Sequence, residues 1–127
     1  LEAKDKEIVF REGQGSLLHP GSTATLPLMR GSCPTHLILC HRAEMETLRD
    51  CSEIKIPTLS QVVKLNESVA HACGAFPQPK TIGIALNTSK LKESEALELI
   101  DKLEKETGLP VTDVVRFGAE KLGKTLL

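Results

Sequence analysis

The sequence predicts an α/β domain, three-layered, with a mostly parallel sheet and flanking helices. Three observations carry this. Short apolar runs take turns with longer amphipathic stretches along the chain, as strands and helices do. The apolar runs are continuous rather than alternating, which suits strands covered by helices on both faces. The 127 residues, 40% apolar and 26% charged, suit a single domain that buries roughly two-thirds of its unfolded surface without disulfide staples. Strands are expected at residues 8–10, 37–40, 81–86 and 111–115.

The helices follow from caps and spacing. Residues 22–29 are read as a short helix, which Pro27 confines to a first turn or bend. Thr58 and Gln61 form a capping-box pattern, and Leu59, Val62, Val63, Val69, Ala70 and Cys73 then recur at helical spacing as far as Gly74, a left-handed terminator. Residues 75–80, with Pro77 and Pro79, form the loop into the third strand. A further helix over Glu93–Thr107 places Ala96, Leu97, Ile100 and Leu103 on one face. Glu98 with Lys102 and Asp101 with Lys105 make i,i+4 pairs on the other, and Gly108 and Pro110 end it. The residues read as one domain, 1–127, with no linker or repeat. Four strands are few for this architecture, and the first follows the start of the chain closely, so the domain is expected to be part of a larger protein.

Charge and composition exclude several functions. Sixteen Lys and Arg against seventeen Asp and Glu leave a formal charge of −1, and the only aromatics are three Phe. A counterion-releasing or base-stacking nucleic-acid surface is not expected from this balance. No apolar run reaches the ~20 residues of a membrane helix, and no signal-peptide pattern opens the chain, so the protein is expected to be cytoplasmic, with neither nucleic acid nor membrane as partner. Cys33, Cys40, Cys51 and Cys73 have neither zinc nor disulfide spacing; the nearest constellation, Cys33, His36, Cys40 and His41, lies largely on one strand whose side chains point alternately apart. No metal site is expected, and the cysteines are read as reduced and buried.

In a parallel sheet ligands bind beyond the carboxyl ends of the strands, and the residues there are polar. The first predicted strand is followed by Arg11, Glu12, Gly13, Gln14, Gly15 and Ser16, then His19 and Pro20. The two glycines would let backbone N–H groups approach an anion, or would simply make a tight turn. His41 and Arg42 follow the second strand. Asn87, Thr88 and Ser89 follow the third, as ligand donors or as the cap of the next helix. Arg116 follows the fourth. These segments are expected to share one crevice. Gly118 to Thr125 matches G-x-x-x-x-G-K-[ST], but a phosphate loop must open a long helix at its Lys and Thr, and only Leu126 and Leu127 follow. Ala119, Leu122 and Leu126 are instead spaced as one face of a terminal helix.

Four stretches in order, GQGSLLHP (13–20), LILCHR (37–42) with IPTLSQVV (56–63), IGIALNTSKL (82–91) and ETGLPVTDVVRFG (106–118), resemble the C-terminal P-loop domain of the D-glutamate N-acetyltransferase-like proteins over residues 7–122. REGQGS is also similar, more distantly, to the loop of dethiobiotin synthetase-type enzymes. The resemblance implies a P-loop NTPase-like fold lacking its N-terminal phosphate-loop part, which would be the main partner of this domain, with a homo-oligomer as a further expectation. It implies acetyl transfer from acetyl-CoA to the amine of D-glutamate or a similar small amino acid, this domain being inactive alone. The alternatives are an ATP- and Mg-dependent enzyme of the dethiobiotin-synthetase type and a non-catalytic domain that binds a nucleotide or metabolite. For acetyl transfer, His19 or His41 would be the base, with Glu12 orienting it. The N–H groups of Gly13, Gln14, Gly15 and Ser16 would meet an oxyanion or phosphate, with Asn87 and Thr88 as further ligand contacts. Arg42 or Arg116 would fork onto a substrate carboxylate.

Overall fold

The structure, a computed structural model, describes residues 5–126. Three strands, β1 (His36–Arg42), β4 (Lys80–Asn87) and β5 (Val111–Thr112), form a wholly parallel sheet in the order β1-β4-β5. Between β1 and β4 the chain makes a two-stranded antiparallel hairpin, β2 (Thr47–Leu48) and β3 (Cys51–Lys55), and then helix α2 (Leu59–His71). Helix α1 (Thr25–Ser32) precedes β1, α3 (Glu93–Thr107) joins β4 to β5, and α4 (Glu120–Gly123) follows β5. The α/β class and the parallel sheet are as the sequence predicts.

Because the strand order is sequential, two right-handed crossovers must put α2 and α3 on the same face. They do. Leu59 of α2 and Ile100 and Leu103 of α3 close over Ile84 and Leu86 of β4 and Val111 of β5. Ile84 and Val111 are fully buried. The α2 start is the capping box that the sequence predicts: the Gln61 N–H donates to Thr58 Oγ1 and the Thr58 N–H to Gln61 Oε1. The left-handed exit begins two residues before Gly74, at Ala72 and Cys73. Glu104 Oε1 accepts from the Val111 N–H at 2.8 Å and from Lys121 Nζ at 2.7 Å, tying α3, β5 and α4 together. Burial pushes the Glu104 carboxyl up, but these two donors and the Lys121 charge outweigh it and hold it below its usual range.

Several expectations are corrected. Residues 8–10 are not a strand: Ile8, Val9 and Phe10 are exposed, because no described segment pairs with them. The fourth strand stops at Thr112, since the Asp113 side chain captures the N–H groups of Val115 and Arg116 and folds 113–117 into a turn. Helix α1 runs on to Ser32, with Pro27 in its first turn. The β2–β3 hairpin was not expected; its Arg49-Asp50 turn carries no glycine and sets Asp50 at φ 61°. The cysteines are free but not buried: Cys33, Cys40 and Cys73 are exposed and Cys51 is half-buried. Cys40 alternates with Leu39 and so falls on the face of β1 that α2 does not cover, while Cys33 and Cys73 occupy left-handed helix ends. The expected ion pairs of Glu98 and Asp101 on α3 are not among those formed by the described residues.

Candidate functional site

The carboxyl ends of β1, β4 and β5 lie side by side, Arg42 beside Asn87 and Ala85 beside Thr112. Beyond them opens a cleft of about 470 Å³, within the usual range for a small-molecule site, lined by Cys40, His41, Arg42, Asn87, Ser89, Asp113 and Arg116 together with the apolar Ala85, Leu86, Val114 and Val115. The structure thus brings together His41, Arg42, Asn87 and Arg116 from three separate sequence segments.

Each is held differently. His41 is the inward-facing residue after Leu39, and burial lowers its pKa from the usual 6.5. Among the described residues no hydrogen bond engages its imidazole, and so no backbone carbonyl is satisfied by it. Arg42 is exposed and makes no ion pair among the described residues. The Arg116 guanidinium donates through Nη2 to the Leu91 carbonyl at 2.8 Å, leaving its other donors unused. Asn87 accepts the Ser89 N–H on Oδ1 at 3.0 Å, which fixes the amide and leaves its NH₂ group free to donate. The cap role is not taken: α3 begins at Glu93, where the Lys92 N–H donates to the Glu95 carboxylate.

Thr88, a candidate ligand contact, instead turns inward. It is fully buried, and both its N–H and its hydroxyl donate to Asp113 Oδ2. Asp113 is 3% exposed, and its Oδ1 accepts from the Val115 and Arg116 N–H groups at 3.0 and 3.2 Å. Burial would raise the Asp113 pKa, yet the bonds from Thr88, Arg116 and Val115 outweigh it and keep the carboxyl below its usual range. Sequence reading missed this residue. The signal was Thr-Asp ahead of an apolar pair, read as the interior of a strand.

Glu12, Gly13, Gln14, Gly15 and Ser16 do not line the cleft. They pack beside α1 instead: a side chain at Gly13 would strike Leu28, and Gly15, at φ 117°, is crowded by the side chains of Ser22 and Thr25. The Ser16 N–H is already bonded to Ser22 Oγ at 3.0 Å. His19 also lies apart. Its Nδ1 accepts the Gly21 N–H at 3.0 Å, which places the proton on Nε2, 3.9 Å from Cys51 Sγ. Glu12 is exposed and does not orient the ring. The expectation of one shared crevice therefore holds for the segments after β1, β4 and β5 and fails for residues 12–19.

The run from Gly118 to Thr125 contains α4 (Glu120–Gly123). The N–H groups of Gly123, Lys124 and Thr125 donate to the carbonyls of Ala119, Glu120 and Leu122, so none is free to cradle phosphate. Lys124→Ala is accordingly expected to leave ATP binding unchanged in a calorimetric titration, and loss of micromolar binding on that substitution would restore the phosphate-loop reading. Among the described residues no helix is long and apolar enough to cross a membrane, and no three His, Cys, Asp or Glu side chains gather as metal ligands.

The chain is similar to two proteins named D-glutamate N-acetyltransferase, from Pseudoalteromonas sp. at 31% identity and from Tritonibacter scottomollicae at 36%, each over 112 residues. The match covers 87% of this chain but 33% of each relative, so the chain spans about a third of their length. A crystal structure of a DUF1611 family protein from Anabaena variabilis superposes with a TM-score of 0.88 at 55% identity, over 91% of this chain and 33% of that one. The family described as "Domain of unknown function (DUF1611_C) P-loop domain" matches residues 1–123. The chain therefore belongs to the DUF1611 family, within its P-loop domain.

Proposed function

We propose that the full-length protein is a cytoplasmic N-acetyltransferase that moves an acetyl group from acetyl-CoA to the amine of D-glutamate or a similar small acidic amino acid, and that this domain supplies the amino-acid end of the site. The observation that carries the proposal is the composition of the cleft: His41, its pKa lowered by burial and its imidazole without a hydrogen bond among the described residues, lines the same cleft as Arg42 and Arg116. A dicarboxylic amino acid presents two carboxylates and one ammonium. Two guanidiniums match the carboxylates, and a neutral imidazole can take a proton from the ammonium, freeing the lone pair that attacks the thioester carbonyl; collapse of the tetrahedral adduct then breaks the C–S bond and releases CoA as the leaving thiolate. With its Oδ1 occupied by the Ser89 N–H, Asn87 would donate through its NH₂ to the oxyanion that forms. The names of the relatives support the reaction class. The acetyl donor and the remaining groups would be held by other parts of the protein.

Incubating the full-length protein with acetyl-CoA and D-glutamate, with L-glutamate and ATP hydrolysis measured beside it, tests this. N-acetyl-D-glutamate and free CoA in equal amounts are the expected products. ATP hydrolysis coupled to carboxylate activation would support the dethiobiotin-synthetase alternative, and calorimetric binding without turnover would support the non-catalytic one.

A further inference from the structure

Among the described residues, Asp113 is the only ionisable side chain that is buried. A buried carboxylate costs free energy unless its lone pairs are satisfied, and here four donors satisfy them, none of them a cation. A carboxylate that only completed the core could be replaced by an apolar side chain. This one instead joins two loops that line the cleft: through Thr88 it holds the segment between Asn87 and Ser89, and through two backbone N–H groups it holds the turn that carries Arg116. Arg116 is thus fixed at its backbone by Asp113 and at its guanidinium by the Leu91 carbonyl.

We propose that Asp113 is a positioning residue for the substrate carboxylate, setting the backbone from which Arg116 reaches into the cleft and locking the Asn87 loop opposite it. The proposal rests on the acetyl-transfer reading above. Both ends of Arg116 being held means that little side-chain freedom is lost when a carboxylate docks, the general route by which preorganisation adds affinity. Since its hydrogen bonds keep Asp113 ionised, the clamp stays intact across neutral pH.

The test uses the full-length enzyme and the variants Asp113→Asn, Arg116→Ala and their combination. Asp113→Asn faces two N–H donors with an NH₂ group and is expected to raise KM for D-glutamate roughly tenfold, with kcat changed by less than about threefold. In the Arg116→Ala background it should add less than about twofold, because the residue it positions is already gone. An equal KM rise in both backgrounds, or a lowered Tm with unchanged kinetics, overturns the proposal. Should Asp113→Asn fail to fold, Thr88→Val, which removes only the hydroxyl donor, is expected to show the same coupling to Arg116 on a smaller scale. Amide exchange gives a second readout: in either variant residues 88, 115 and 116 should exchange faster by roughly tenfold while α2 and α3 keep their protection. Unchanged exchange there sinks the positioning role. Absence of acetylation by the wild-type enzyme removes the functional reading instead, and the exchange result still decides the role of Asp113.

Discussion

His41→Gln is expected to lower acetylation by the full-length protein roughly 10²-fold or more, the usual scale for losing a positioned base, with the fold retained. Burial disfavours the charged imidazolium, so the folded pKa of His41 lies below its usual value. The active, unprotonated form is therefore already dominant at neutral pH. kcat/KM should rise with pH through a value below about 6.5 and be flat above it, and His41→Gln should abolish that acid limb. The same shift has a sign for stability. A depressed folded pKa means that the stabilising difference is present above the unfolded value and is lost as pH falls through the folded one. Wild type should thus lose stability relative to His41→Gln on acidification below about pH 6.5. His19→Gln is the control. Its ring is held by Gly21 and faces Cys51 outside the cleft, so it should change turnover by less than about threefold. Turnover lost with His19→Gln and kept with His41→Gln would move the base to the glycine-rich segment and undo the assignment.

The choice between His19 and His41 is one that the chain does not disclose by itself. Residues 81–86 and Glu93–Thr107 were legible because local propensity, apolar spacing and burial agree there: β4 is buried along most of its length, and α3 carries Ala96, Ile100 and Leu103 of its expected stripe inward, only Leu97 falling outside the buried face. The carboxyl ends of β1 and β4 were legible to within two residues, β1 running on to Arg42 and β4 to Asn87 rather than stopping at Cys40 and Leu86, and with them His41, Arg42 and Asn87. Residues 8–10 have the composition of a strand but lack a partner in the described chain, and pairing is decided between segments rather than within one. Gly13 and Gly15 look like an anion loop because glycine spacing alone does not say what crowds the backbone. Here it is Leu28, Ser22 and Thr25 of α1 and its approach. Asp113 was hidden by its neighbours, since Val-Thr-Asp-Val-Val continues a strand in composition, and only the fold shows that its carboxylate takes the N–H groups the ladder would have used.

Gly83→Ala in β4 is expected to destabilise the protein by about 2–3 kcal/mol, lowering Tm by roughly 10 °C. The sign is the informative part. A glycine in a strand interior ordinarily costs about 0.5–1 kcal/mol relative to alanine, so a glycine with no neighbour would make Gly83→Ala stabilising. Here a Cβ would collide with the Leu122 side chain and come within 3.0 Å of the Pro110 carbonyl oxygen, which is already committed to the Ile84 N–H at 2.9 Å. Backbone cannot give way there without breaking the β4–β5 contact. Leu122, 5% exposed, is the only buried side chain of α4, and its seat on Gly83 packs this short helix against β4 within the stretch that carries the phosphate-loop pattern. Leu122→Ala should cost about 3 kcal/mol as a cavity. The double variant should cost less than the sum by about 1 kcal/mol, because the smaller side chain makes room for the new methyl group. Thermal or urea unfolding of the three variants measures this, and a Gly83→Ala protein that melts above wild type would show that α4 does not dock on β4 as described.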